Sequence, residues 1–380
     1  MLEQKVHLLF GPGKLAELGP LVAGKGCKKA LVVCDPGIVA AGITDKVCRV
    51  LSASGVDSVV YDKVNPEPSH TVPDEGIGFF NAQGCDVVIG VGGGSSMDCA
   101  KSINLLRYNE GPILRFAGPN VPMNLSPGLF LVATTAGTGS EVSDGLVMSS
   151  DDHMKHGCLA VNAMAEYAIV DPELMVTMPP VLTAATGLDA FSHACEGYTT
   201  NIATPATDHL VEAVMRTVAE WLPAAVADGK NVEARTHMAI ASTLGGWMLV
   251  QAHTNAGHSV AHLIGSYFGI PHGEACAYAT PWILEFNAPA LPEKVRWVGL
   301  LLGASFSGQE TPEEIGAKTR DAFLNFRDEV LQLPPASRYA PDRSLFPAVA
   351  QGIVEEMFQM FQPRPMTTAD ALDILEKIFA

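Results

Sequence analysis

The chain has 380 residues, 48% hydrophobic and 17% charged, a globular composition that excludes disorder and leaves length for two ordinary domains. Its formal net charge of −17 argues against nucleic-acid and anionic-membrane partners, whose phosphates need clustered Lys and Arg. No apolar run reaches the roughly 18 residues of a membrane span.

In chain order, MLEQKVHLLFGPG carries no apolar core of a signal peptide, so a cytoplasmic protein is expected. Lys29–Cys34 reads as a short buried strand ended by Asp35-Pro36-Gly37, followed by a helical stretch through Val47–Leu51. Further strands are expected at Asp57–Tyr61, Asp86–Val91 and Gly128–Ala133, with helical segments between the earlier ones and prolines at Pro66 and Pro68. Apolar strands separated by helices predict an α/β domain with a parallel sheet covered on both faces. After Pro179-Pro180 the signals turn helical, which predicts an α/β domain over 1–180 and an all-helical domain over 181–380. The eight cysteines are scattered without a CxxC pair, as expected of buried reduced thiols.

Two glycine-rich loops follow strands. In VVIGVGGGSSMDCAK, Gly93 and Gly94 lead into a helix whose first N–H groups suit a pyrophosphate, and Ser95 with Asp98 reads as a capping pair. A glycine triplet alone fits a plain turn equally well. The second loop, Thr134-Thr135-Ala136-Gly137-Thr138-Gly139, is rich in small hydroxyl residues that suit a nicotinamide or a phosphate. Two such loops at the carboxyl ends of parallel strands favour a nucleotide site. Asp35, at the end of the first predicted strand, can accept from ribose hydroxyls and would repel a 2′-phosphate, which favours NAD over NADP; an Asp-Pro turn is the alternative reading.

The helical half holds the sharpest pattern. Asp189 and His193 share one helical face at i, i+4 in TGLDAFSHACEGY; His258 and His262 repeat the spacing in NAGHSVAHLIG, and His272 follows in PHGEA. A single histidine in such sequence is more often a core residue, but four beside an aspartate on small-residue segments suit a divalent first-row metal. Fe(II) and Zn(II) both fit imidazole and carboxylate donors. Such a metal, with an open position, can act as a Lewis acid while a nicotinamide carries the hydride.

At these residues the chain resembles the iron-containing alcohol dehydrogenase family, which includes lactaldehyde reductase and 1,3-propanediol dehydrogenase. The likeness runs nearly end to end, through FGPGKLAELG, GGGSSMDCAK, TTAGTGSEVS, AIVDPEL, TAATGLDAFSHACEGY, PHGEA, EFNAPALPEK and QPRPMTTADALDIL. It implies a Rossmann-like amino-terminal domain, an all-helical metal-binding domain (the dehydroquinate synthase-like fold) and a cleft between them. It implies Asp189, His193, His258 and His272 as metal ligands and His262 as a proton relay near substrate. Cofactor contacts are implied at Asp35, Glu67, Gly93, Gly94, Ser95, Asp98, Thr134, Thr135, Gly137, Thr138 and Lys155, and a homodimer or larger homo-oligomer at the level of assembly. The reaction implied is hydride transfer between NAD(H) and a small primary alcohol or aldehyde.

Some positions depart from the family. Leu249–Asn255 loses an aromatic wall and gains Gln251 and His253; Glu67 stands where the family often has a polar amide; Gly145 replaces a commonly polar residue, which would remove one cofactor contact; and Leu105–Pro122 carries Arg107 and Arg115. These changes suggest an aldehyde with an anionic tail, such as sulfoacetaldehyde, recognised by Arg107, Arg115, Gln251 or His253 through charge-assisted bonds. The plainer alternative makes both arginines solvated surface residues. A zinc polyol dehydrogenase of the glycerol type is a second enzyme reading, and a cofactor-binding scaffold or filament subunit is one from another class. A lyase on the same fold would need a basic phosphate pocket, which the sparse Lys and Arg near these motifs do not supply.

Overall fold

The apolar runs of the first half become parallel strands because their side chains are buried on both faces of one sheet. The computed structural model describes residues 3–65, 69–118, 121–150 and 155–380. They divide into two units, Met1–Thr177 and Met178–Ala380. Among the described residues no helix is long and apolar enough to cross a membrane.

The first unit contains strands β1 (His7–Phe10), β2 (Lys29–Val33), β3 (Asp57–Tyr61), β4 (Val87–Gly92), β5 (Leu129–Ala133), β6 (Gly145–Ser149), β7 (Lys155–Leu159) and β8 (Tyr167–Val170). Six of them form a sheet in the order β1-β8-β5-β4-β2-β3, with all neighbours parallel. Alternate side chains serve opposite faces. Val32, Ile89, Val91 and Val132 pack with Leu18, Val22, Val47 and Leu51. On the other face the helix Gly94–Leu106 lies so close that a Cβ on Gly90 would sit 2.7 Å from that of Ala100.

The chain leaves β2 outward to β3, then returns to place β4 on the other side of β2. This reversal is the topological switch point of a doubly wound sheet, where open α/β sheets bind ligands beyond the carboxyl strand ends. Asp35 and the first glycine loop follow the two strands that flank it.

The expected strands hold to within a residue at either end. The single helical stretch expected after Asp35 is two helices, Pro36–Ala40 and Ile43–Ala53, because Gly42 between them takes a left-handed φ of 70°. The edge strand β1, its neighbour β8 and the antiparallel pair β6/β7 are additional to the expected set.

The second unit is helical: Pro180–Thr199, Pro205–Ala227, Val232–Ala252, Ala256–Phe268, His272–Asn287, Pro292–Leu301, Pro312–Asn325, Phe346–Glu355 and Thr368–Ile378, with short 3₁₀ turns and a wider π turn at Phe326–Val330 between them. Arg235 is buried and anchors the entrance to the first of these helices, donating to Thr183 Oγ1 at 2.8 Å and the Met178 carbonyl at 3.2 Å. The helix Val232–Ala252 stops at His253, whose φ of 57° carries the chain away from helical geometry; Asn255 then caps Ala256–Phe268. Gly273 lets the helix beginning at His272 touch the helix Pro180–Thr199, since a Cβ would lie 2.7 Å from the Ala185 carbonyl oxygen.

Candidate active site

In the second unit, three helices deliver four ligand-type side chains to one point. Asp189 and His193 come from Pro180–Thr199, His258 from Ala256–Phe268, and His272 from the first residue of His272–Asn287. One donor atom from each lies within 4.8 Å of the others. Asp189 Oδ1 is 3.6 Å from His193 Nε2, 3.9 Å from His258 Nε2 and 3.6 Å from His272 Nε2. Ligands about 2.1 Å from a shared divalent ion stand about 3.4 Å apart in a tetrahedral arrangement. Asp189 is 1% exposed and its Oδ1 has no hydrogen-bond partner. A buried carboxylate oxygen left without a donor costs several kcal/mol unless a cation satisfies it (about 1–3 kcal/mol even for neutral groups). The donor set and the orphaned oxygen both fit a divalent metal.

Outside this quartet stands Glu196, on the same helix about two turns beyond Asp189. Its Oε1 accepts from His258 Nδ1 at 2.7 Å and its Oε2 from the backbone N–H groups of Asn255 and His258 at 2.9 and 3.0 Å. The carboxylate fixes the ring tautomer and turns the Nε2 lone pair of His258 toward Asp189. Burial alone would lower the His258 pKa, but Glu196, then Asp189 and Glu356, outweigh it and hold it above the ordinary value. Gly257 makes room for this contact, because a Cβ there would lie 2.6 Å from the Glu196 carboxyl carbon. Glu196→Gln is expected to raise the metal dissociation constant about 10–100-fold, measured by competition with a chelator, with the fold intact.

His262 lies one turn beyond His258, its ring 5.9 Å from His258 and 5.6 Å from His272, beside the quartet and not in it. Its Nδ1 donates to Glu356 Oε1 at 3.2 Å, and Glu356 also accepts from Ser259 Oγ and the Phe358 N–H. Burial alone would raise the Glu356 carboxyl, but the His262 contact and these donors hold it below its ordinary value. Phe358 stands 5.7 Å from the His262 ring and Phe361 stacks on His253 at 4.4 Å. The segment Met357–Phe361 thus supplies aromatic side chains that the sequence Leu249–Asn255, with no Phe, Tyr or Trp, lacks. Gln251 and His253 are half-buried at the end of Val232–Ala252, just before the helix that carries His258.

The first unit carries the loops. The helix Gly94–Leu106 has Gly93 as its N-cap with no side-chain cap, so the expected Ser95/Asp98 capping pair is not formed. Ser95 lies inside the first turn, and the uncapped N–H groups there suit an anion. Asp98 turns inward instead, accepting from Ser140 Oγ at 2.7 Å and the Val147 N–H at 3.0 Å, with Lys101 Nζ 3.6 Å away. Its carboxylate ties the first loop's helix to the second loop, which corrects its expected contact with a cofactor. Burial draws both partners toward neutrality, raising the Asp98 pKa and lowering that of Lys101.

The two loops touch. A Cβ on Gly93 would meet Thr135 Oγ1 at 3.1 Å, and one on Gly94 would meet Thr138 Cγ2 at 2.9 Å. Thr134 and Thr135 each present a buried hydroxyl with no hydrogen-bond partner, as expected of a site that a polar ligand completes. Gly137 is in the same loop. Asp35 caps the helix Pro36–Ala40 through Gly37 N and Ile38 N, and its Oδ2 accepts from Ser96 Oγ at 3.2 Å, so the two sides of the switch point are joined. Lys155 begins β7, opposite Ser149, and the Gly145 carbonyl accepts from Lys101 Nζ at 2.7 Å. Glu67 lies outside the described residues.

Neither arginine offered for an anionic tail sits at these loops. Arg107 donates to the carbonyls of Asp86 and Gly128, at 2.7 and 3.3 Å, which immediately precede β4 and β5. It therefore lies at the amino edge of the sheet, one strand length, about 17 Å, from the loops that follow the same strands. Arg115 is exposed and donates to the Glu110 carbonyl at 3.2 Å. Both are structural or surface residues.

Comparison with known proteins agrees with this arrangement. Residues 6–172 match the family model of iron-containing alcohol dehydrogenases, and residues 183–379 match the model of the same family's C-terminal region. The chain is 36% identical over 305 residues to 1,3-propanediol dehydrogenase of Klebsiella pneumoniae, covering 80% of this chain and 79% of that protein. It is likewise 36% identical over 304 residues to NAD-dependent methanol dehydrogenase of Bacillus methanolicus, covering 80% of each. A solved structure of a 1,3-propanediol oxidoreductase superposes over 100% of both chains with a TM-score of 0.92 and 32% identity. Matched by these models across both units, the chain belongs to the iron-containing alcohol dehydrogenase family.

Proposed function

We propose that this alcohol dehydrogenase interconverts a small primary alcohol and its aldehyde with NAD(H) and a divalent metal, Fe(II) in preference to Zn(II). The observation that carries the reading is the buried Asp189 Oδ1, unpartnered among three imidazole Nε2 atoms. Asp189, His193, His258 and His272 would hold the metal. When bound, the metal supplies Lewis acidity toward the substrate oxygen, and the nicotinamide accepts or gives the hydride.

The chain's own residues do the rest. Glu196 keeps His258 in the tautomer that presents Nε2 inward. Glu356 holds the Nδ1–H of His262, so the ring's other nitrogen, Nε2, is the atom that takes the alcohol's proton and passes it to solvent. In oxidation the carbon loses a hydride and the oxygen a proton; reduction runs both back. Gly93, Gly94 and Ser95 offer backbone N–H groups to the pyrophosphate, and Thr134, Thr135 and Thr138 offer hydroxyls to the dinucleotide. The charge of Asp35 favours NAD over its 2′-phosphorylated form. Support for the cofactor also comes from the methanol dehydrogenase relative, which is NAD-dependent by name.

The test is to strip the protein of metal and add back Fe(II), Zn(II), Mn(II) or Co(II) separately without oxygen, following NADH oxidation against short aldehydes. Restoration by Fe(II) is expected; no activity with any metal overturns the reading. Gly94→Val should raise the KM for NADH roughly tenfold, about 1.4 kcal/mol, because its side chain displaces Thr138. The narrower reading, an aldehyde with an anionic or strongly polar tail such as sulfoacetaldehyde, now rests on Gln251 and His253 alone. Equal kcat/KM for sulfoacetaldehyde and propionaldehyde would end it.

A further inference from the structure

The helix Gly94–Leu106 turns one stripe of residues toward the second loop. Gly94, Asp98 and Lys101 stand at i, i+4 and i+7 and meet that loop in chain order. A Cβ on Gly94 would press on Thr138, and Asp98 accepts from Ser140 Oγ at 2.7 Å. Lys101 Nζ then donates to Ser140 Oγ at 2.8 Å and to the Gly145 carbonyl at 2.7 Å, with Ser143 Oγ at 3.5 Å. Ser140 bridges the pair, accepting from the ammonium and donating to the carboxylate. Asp98 also accepts from the Val147 N–H at 3.0 Å. At its other end the loop is held by backbone, the Thr134 N–H donating to the Gly92 carbonyl at 3.0 Å. Thr135 and Thr138 lie between these two anchors, and Thr134 and Thr135 carry the buried hydroxyls that have no hydrogen-bond partner.

Stability does not explain a lysine in this place. Its side chain is 1% exposed and that of Asp98 15%, and desolvating two charges offsets most of what their attraction contributes. An apolar pair of similar volume would serve a core as well. An ammonium, however, has three donors on a long stem, and here they reach the loop's hydroxyl and carbonyl oxygens, which sets its register. Glu141 and Asp144, buried on the same loop, add negative charge that favours the ammonium.

We propose that Lys101 is a positioning residue for the dinucleotide: paired with Asp98, and through Ser140 and Gly145, it sets the second loop in its cofactor-binding form before the cofactor arrives. This rests on the dinucleotide reading above and adds to it the group that pre-organises the site. Because the ammonium is committed to the loop, its effect falls on cofactor affinity and not on hydride transfer.

Fluorescence titration of the full-length protein with NADH tests this, using Lys101→Met and the double variant Lys101→Met/Asp98→Asn. The single variant leaves the Asp98 carboxylate without its cation and is expected to lose both thermal stability and affinity. The double variant removes both charges of the pair, so its melting temperature should return close to the wild-type value while NADH binds about tenfold more weakly. Its KM for NADH should rise in step, with kcat at saturating NADH changed less than about threefold. A double variant that binds NADH as tightly as the wild type makes the pair merely structural and overturns the proposal. Where a variant fails to fold or stays destabilised, hydrogen exchange of the wild type decides. The amides of Val142 and Val147, bonded to the Gly139 carbonyl and to Asp98, should be protected equally with and without NADH. Protection that appears only with NADH overturns the pre-organisation. Wild-type protein that binds no NADH overturns the dinucleotide reading itself, and this proposal with it.

Discussion

Asp189→Ala protein is expected to purify with almost no bound divalent metal and to lose about a thousandfold in kcat/KM, the equivalent of about 4 kcal/mol of transition-state stabilisation. The carboxylate contributes the quartet's only negative charge, and its Oδ1 stands within 3.9 Å of all three imidazole nitrogens. Without it, three neutral rings must hold a dication in a buried pocket. Metal analysis of the purified variant, alongside its turnover, checks the expectation. Full metal content with normal turnover would remove Asp189 from the site. Asp189→Asn is the companion variant: it keeps the shape, so a similar loss would locate the effect in the charge and not in a cavity.

His262→Ala should behave differently. It is expected to retain its metal and to lose about a hundredfold in kcat, the lower end of what a positioned proton-transfer group contributes. The ring neighbours His258 and His272 without belonging to their cluster, and its Nδ1–H is committed to Glu356. Replacing Glu356 by Gln should reproduce part of the loss, because the amide can still contact the ring but no longer stabilises its charged form. The pair is distinguished from Asp189 by metal content measured on the same preparations. A His262→Ala enzyme with unchanged kcat from acid to alkaline pH would exclude it as the relay.

Much of this was readable from sequence for definite physical reasons. The central strands β2, β4 and β5 are apolar runs, ended by Asp35-Pro36, by glycine and by Thr134-Thr135 respectively, so burial on both faces writes itself into the residues. The clustering of the candidate quartet was legible because Asp189 and His193 repeat at helical spacing and histidines are scarce, 11 in the chain. By contrast, β6 and β7 are short strands whose partner is each other, and KHGCL offers no alternation that marks a strand. Glu196 and Glu356 escaped notice because carboxylates are common and each meets its histidine across a long stretch of chain. Glu196 had one available signal, its place on the same helical face as Asp189; Glu356 had none. Arg107 misled because a cation near a glycine loop in sequence looks like an anion site, while the carbonyls that occupy it belong to strand starts that only the fold brings together. Ser95 misled in a similar way: helix α-turns begin where the backbone leaves β4, at Gly93, and not at the first hydroxyl.

The ligand quartet and the glycine loops belong to different units of the chain. The enzyme therefore has two separable ways to fail. A chelator or an oxidant that empties the quartet leaves Thr134, Thr135 and the uncapped helix start untouched, so such protein should still capture NADH while turning nothing over. On the proposed reading, metal supply alone would then switch on turnover in protein that already holds its dinucleotide.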